Sequence, residues 1–262
     1  MLSTSKPQAK ADLLCKLAIS YKDRFDETHN PKDLDEAVEC DEGTVRLTPD
    51  GHVDKPRFLS NLGLSYQKRY DNSKKVEDLD NAIKFKQNAV DVTDDSNPKK
   101  PGYYSDLGWS LKNRYDKTKD LADIDQSIAM NDKAVSLAPK DYEDRIRLLT
   151  NYAVALNLRK EAKTKKATED ADKVVELRRE IISIAPDNYK KLEYLSRLSI
   201  DLHNRYNARK DPSDLDETIQ LRTETVEKAR ENDIEKPRYL DNLGLAYRAR
   251  YDREKKIGRA HV

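Results

Sequence analysis

Apolar residues return every third or fourth position along this chain, in blocks parted by polar turns, and one such block recurs six times. It reads LLCKLAISYKDRFD from Leu13, FLSNLGLSYQKRYD from Phe58, YYSDLGWSLKNRYD from Tyr103, LLTNYAVALNLRKE from Leu148, YLSRLSIDLHNRYN from Tyr194 and YLDNLGLAYRARYD from Tyr239. The intervals are 45, 45, 45, 46 and 45 residues. Within the second block Phe58, Leu62, Tyr66 and Tyr70 fall on one helical face, and Pro56 suits a first turn, where its missing N–H is not needed. This spacing predicts a helix A. After a polar stretch, Leu79, Ala82, Ile83, Ala89 and Val90 carry the i, i+3, i+4 rhythm of a helix B beginning at Asp78. Neither helix can bury its stripe alone, so neighbouring pairs must stack. The pattern predicts an all-α solenoid over residues 10–252, made of five helix pairs plus one helix, behind a flexible segment 1–9.

Polar positions repeat as well. Asp33/Asp35, Asp78/Asp80, Asp123/Asp125, Asp170/Asp172 and Asp214/Asp216 open the five helices B. The first Asp of each pair is expected to cap free N–H groups, and the second to lie in the first turn, with Glu36 and Glu217 closing capping boxes. Arg24, Arg69, Arg114, Arg159, Arg205 and Arg250 end the helices A, within reach of those carboxylates. Arg beside paired Asp suggests acid–base chemistry, but catalysis needs one special constellation and this one recurs with every repeat. It reads as a structural clamp.

Composition narrows the function. Charged residues make up 38% and hydrophobic ones 36%, which suits exposed helices rather than a thick core. Fifty Lys and Arg nearly balance 49 Asp and Glu, without a long block of one sign, so the electrostatic footprint of a nucleic-acid binder is missing. No stretch approaches a membrane span or the apolar core of a signal peptide, and two cysteines make no disulfide framework; a cytoplasmic location is expected. The seven glycines show no phosphate-loop spacing, and the four histidines no metal-ligand spacing. No cofactor, metal or catalytic residue is expected. Cys15 aligns with Ser60, Ser105, Thr150, Ser196 and Asp241, which marks a small side chain rather than a nucleophile.

The Leu62-Gly63-x-x-Tyr66 element resembles helix A of tetratricopeptide (TPR) repeats. Ala82 and Ala89 resemble the small residues of TPR helix B, and Pro49, Pro139 and Pro186 the proline that follows it. The surplus of 11 residues over the usual unit falls in the two loops, seven between helices A and B and four before the next unit. The resemblance implies a right-handed superhelix of antiparallel pairs; a period of about 45 also allows a HEAT-like solenoid. The longer signature L-x-N-L-G-x-x-Y-x-x-R-Y-D, D-L-D-x-A-I and T-P-D-G-H-x-D-K-P is similar to arrays of filamentous fungal proteins, often joined to a CHAT-type protease or a nucleotide-binding signalling domain. A regulatory segment of a longer enzyme is therefore the alternative to a free-standing scaffold. The fourth unit departs from the pattern: Tyr152-Ala153 replaces Leu-Gly, Lys160 replaces the aromatic, and its turn is two residues longer.

In such arrays helices A line a concave surface. Here that surface presents an apolar row, Ile19, Leu64, Trp109, Val154, Ile200 and Leu245, with Lys16, Asn61, Asp106, Asn151, Arg197 and Asn242 one turn earlier. The expected partner is a protein or peptide held against Asn61, Leu64, Asp106, Trp109, Asn151, Val154, Arg197, Ile200, Asn242 and Leu245. The apolar row stands where a chaperone-tail carboxylate clamp needs Asn, which argues against that clamp. The row also fits plain helix–helix core. Self-association is expected through the sixth helix A, which shows Leu243, Tyr247 and Tyr251 with no helix B after it. Residues 253–262 end in Ile257-Gly258-Arg259-Ala260-His261-Val262, which a sequencing-library adapter read in frame would encode. The natural protein is expected to continue past about Lys255.

Overall fold

The computed structural model describes residues 6–162, 164–187 and 189–260, and among these every regular element is a helix. There are 11 of them. Helices A are α1 (Lys6–Thr28), α3 (Lys55–Ser73), α5 (Lys100–Thr118), α7 (Arg145–Glu161), α9 (Tyr189–Arg209) and α11 (Lys236–Ala260). Helices B are α2 (Pro31–Leu47), α4 (Val76–Asp91), α6 (Leu121–Leu137), α8 (Ala167–Ile184) and α10 (Pro212–Lys228). Four residues of the expected flexible start, 6–9, are already helical, and α11 continues through residue 260. His261 and Val262 lie outside the described residues, as do residues 1–5.

The chain forms two compact units, residues 1–151 and 152–262. In the first, α1–α2, α3–α4 and α5–α6 pair as hairpins, and α2–α3 and α4–α5 join them into a stack. Val38, Leu62, Tyr66 and Ala82 form one core cluster, with the Tyr66 and Phe85 rings stacked at 5.6 Å. Val90, Tyr104, Leu107, Leu111, Ala134, Ala138 and Leu148 form the next. Each cluster takes side chains from a helix A, its own helix B and the helix B before it, and the second adds Leu148 from the next helix A, so no pair closes its core alone. In the second unit α8, α9, α10 and α11 pack in sequence, around Val175, Leu198 and Leu202, then Leu192, Leu195, Ala229 and Tyr239, then Tyr206, Leu215, Ile219 and Ala246.

The caps of helices B differ from the expectation. The N-cap residues are Asn30, Lys75, Asp120, Lys166 and Asp211, and the side chains of Asn30, Asp120 and Asp211 accept from the backbone N–H two residues on. The first Asp of each pair sits inside the first turn or just past it and is buried: Asp33, Asp78, Asp123, Asp170 and Asp214 are at most 4% exposed. A carboxylate at a helix start is favoured by the helix dipole, but here the Arg of helix A draws it inward. Arg24–Asp33 closes at 2.5 Å, Arg69–Asp78, Arg114–Asp123 and Arg205–Asp214 at 2.6 Å, and Arg159–Asp170 at 2.7 Å. The capping boxes do not form, since their Asp is not the cap; Glu217 instead accepts from Arg179 at 2.6 Å. The second Asp reaches the next repeat: Asp35 pairs with Arg69, Asp80 with Arg114 and Asp172 with Arg205. One guanidinium thus ties its own hairpin and the hairpin before it.

Candidate functional site

Helices packed on several sides leave little open surface. Along α3 from Pro56 to Lys68, only the line Arg57, Asn61, Leu64, Lys68 is not fully buried, and Leu64 is its apolar member. The line is a single i, i+4, i+7, i+11 track, and the apolar row of the sequence lies on it. In the first unit Ile19, Leu64 and Trp109 are 44%, 40% and 38% exposed. They are therefore surface and not helix–helix core. In the second unit Leu245 is 56% exposed, and Val154 and Ile200 are half-buried. Lys112 lies over the Trp109 ring at 4.7 Å and pairs with Asp116 at 2.6 Å, so the indole keeps one face against a cation.

The polar residues one turn earlier are engaged within the protein. Asn151 donates to Ser105 Oγ at 2.9 Å and Asn61 approaches Cys15 Sγ at 3.7 Å, each side chain bridging to the helix A before its own. Asp106 accepts from Arg147 at 2.9 Å. Arg197 is held by Glu193 of its own helix at 2.6 Å, and Asn242 offers its backbone carbonyl to Arg222. The amide rungs are thus also structural ties between helices. Cys15 is buried against Arg57 and Asn61. Among the described residues no group of His, Cys, Asp and Glu is placed to hold a metal.

A second set of residues escaped the sequence reading. Eight positions after the first Asp, in the middle of each helix B, stand Asp41, Lys86, Asn131, Arg178 and Arg222, all at most 5% exposed. They thread the space between successive helices A. Asp41 accepts from Lys22 at 3.2 Å and Ser65 Oγ at 2.6 Å. Burial pushes the Asp41 carboxyl up, against the lowering pull of Lys22. Lys86 donates to Ser110 Oγ at 2.7 Å, and Ser110 in turn to Gln67. With no carboxylate in contact, burial pushes the Lys86 ammonium down to about 8. Arg178 pairs with Asp201 at 3.3 Å. Arg222 donates to Ser199 Oγ and to the Asn242 carbonyl, and burial lowers it to about 10. The glycines of helix A make room for these stems. A Cβ at Gly63 would stand 2.6 Å from Lys86 Cγ, and one at Gly108 2.6 Å from Asn131 Nδ2. At Gly244 in α11, a Cβ would meet nothing within 4 Å. The recurring polarity at this position was the available signal, though its charge is not constant across the repeats.

Two adjoining hollows lie along α9 in the second unit and share Arg197 and Ile200. One, of about 430 Å³, is lined by Asn157, Lys160, Glu161, Arg178, Asp201 and Asn204; the other, of about 600 Å³, includes Ile234, Arg238 and Tyr239.

No protein-family model matches the chain, and comparison with curated proteins finds no match. Solved structures do resemble it in fold. The Podosopora anserina "putative kinesin light chain nearly identical TPR-like repeats" superposes with a TM-score of 0.57 at 13% identity, covering 85% of this chain and 99% of that one. A MamA RS-1 ArsTM double mutant gives 0.52 at 13% identity, over 82% and 96%. A thermophilic TPR protein of Thermus thermophilus gives 0.51 at 16%, over 89% and 98%. Consecutive helix pairs, small residues at the A–B crossing and these neighbours together make the chain a TPR-like helical repeat array.

Proposed function

We propose that the chain is a non-catalytic interaction scaffold that holds an extended peptide or protein segment along the open line of its helices A, centred on Trp109. The exposure of the indole carries this reading. A Trp 38% exposed, between Leu64 and Ile19 on one side and Asn151 on the other, is a large rigid side chain left at the surface. Val154, Ile200, Leu245, Arg197 and Asn242 are the equivalent positions of the second unit. Asn61, Asp106 and Asn151, already tied between helices, would present a rigid polar edge to a partner's backbone. Trp109 is the single tryptophan, so its emission reports directly on the site. Screening a displayed peptide library on the full chain should yield binders that shift that emission. Trp109→Ala should weaken them by about 2 kcal/mol or more. Its cost to folding should stay well under the roughly 3–5 kcal/mol of a core aromatic. Unchanged binding with collapsed stability would refute the reading.

A second reading, self-association, is favoured by the outer face of α11, where Leu240, Tyr247 and Tyr251 are 41–61% exposed around the open Gly244. Sedimentation should then show oligomers that dissociate on dilution and are lost in Tyr251→Ser. A monomer at all concentrations would exclude it.

A further inference from the structure

Gly63, Tyr66 and Arg69 of α3 meet α4, the helix B of the same pair, and Leu59 and Tyr70 extend that face by the i, i+4 spacing. All five recur unchanged in α11, as Leu240, Gly244, Tyr247, Arg250 and Tyr251. In α3 the face is closed: Leu59, Tyr66 and Tyr70 are at most 7% exposed. In α11 it is open: Leu240, Tyr247 and Tyr251 are at least 41% exposed, and a Cβ at Gly244 would meet nothing within 4 Å. The same receiving surface is filled in one helix and bare in the other.

Arg250 states what would fill it. The Arg at this position in the five other helices A holds the first Asp of its own helix B at 2.5–2.7 Å. Arg250 meets the Tyr247 ring at 4.9 Å, and among the described residues no carboxylate pairs with it. Asp35, Asp80 and Asp172 each reach the Arg of the next helix A, but their counterpart Asp216 goes to Arg253 at 3.7 Å. Lys74 turns the chain from α3 into α4 with a left-handed backbone; α11 has no such residue and runs on through Ala260. Charge complementarity therefore asks for a carboxylate at the start of a helix, as the other five guanidiniums receive.

We infer that the outer face of α11 receives an amphipathic helix from another protein, antiparallel to α11, with an acidic residue of its first turn on Arg250 and a small residue crossing at Gly244. The pattern of that helix is the one α4 shows to α3. Asp78 sits on Arg69 at 2.6 Å, and the Phe85 ring stacks on Tyr66 at 5.6 Å. A Cβ at Gly63 would come within 3.2 Å of the Ala82 carbonyl, so the helices cross closely there. The five helices B of a second copy are each held in their own pair, which leaves a different chain as the occupant. The inference thus goes beyond self-association, and the two compete for one face.

The test adds a fluorescent peptide of residues 75–93, the α4 sequence, to the full chain. A helix this short is marginal alone in water, so binding should raise both its anisotropy and its helical ellipticity. Asp78→Asn in the peptide, or Arg250→Met in the chain, should weaken binding by about tenfold or more. Gly244→Leu should abolish binding while the fold holds, since the new side chain enters open space. Trp109 emission should stay unchanged, and any oligomers should dissociate as the peptide binds. Absence of binding, equal affinity for the Asp78→Asn peptide, or binding that survives Gly244→Leu overturns the inference. A shift in Trp109 emission also overturns it and moves the peptide to the groove. Oligomers that the peptide cannot dissociate overturn it and leave the face to self-association.

Discussion

The Arg–Asp clamps at the hairpin ends and the residues at the centre of the helices B are both polar, both buried on at least one side and both present in each pair. They differ in what is repeated. The clamp repeats an identity: the same Arg meets the same Asp at 2.5–2.7 Å each time. The central position repeats only a polarity, as Asp, Lys, Asn, Arg and Arg, and each meets different neighbours. Where identity recurs, the side chain is architecture. Where only polarity recurs, each register is individually composed.

Breaking a clamp should have the largest effect. Arg159 and Asp170 are 10% and 3% exposed, so Asp170→Ala takes the paired carboxylate from a buried guanidinium and should cost about 3–5 kcal/mol in chemical denaturation. The central position should declare itself through pH. Lys86 releases its proton near 8 in the fold but near 10.5 in the unfolded chain. Between those values the unfolded chain carries the extra proton, so stability should climb with pH across about 8 to 10.5, by roughly 3 kcal/mol. Lys86→Met should flatten that climb; an unchanged slope would remove Lys86 as its source. The glycines sharpen the comparison further. Gly63→Ala drives a methyl into Lys86 and should destabilise by about 1–3 kcal/mol. The same change at Gly244, with open space around it, should stabilise α11 by roughly 0.5–1 kcal/mol. Equal effects at both sites would show that helix propensity, not the stem, governs the position. The smallest effect is expected at the second Asp. Asp80 is 54% exposed, and Asp80→Ala should cost about 0–1 kcal/mol, diminishing with added salt.

These contrasts also explain what the sequence disclosed. The helix pairs were legible because an apolar stripe of the right period needs a partner, and the clamp because Arg and Asp recur at a constant separation. The cap register was not. An Asp-x-Asp before an apolar run looks like a cap, yet the Arg turned it inward and left side-chain capping to Asn30, Asp120 and Asp211. Lys86 and Arg178 were hidden because a template for apolar periodicity passes over polar residues whose identity varies. Trp109 was ambiguous for another reason. A helix enclosed on several sides has no broad polar face, so a narrow open line and a core stripe look alike until neighbours are placed.

The hairpin turns hold a last consequence. In four hairpins Arg and Asp stand nine residues apart, and helix A ends beside a left-handed residue: His29, Lys74, Lys119 or Lys210. In the fourth pair the separation is 11, the turn has no left-handed counterpart among the described residues, and the clamp still closes at 2.7 Å. The ion pair is therefore the fastener and the turn only slack between its halves. A lineage can lengthen the chain there without unpicking the stack, and an engineer can splice an epitope or a fluorophore site into the same slack.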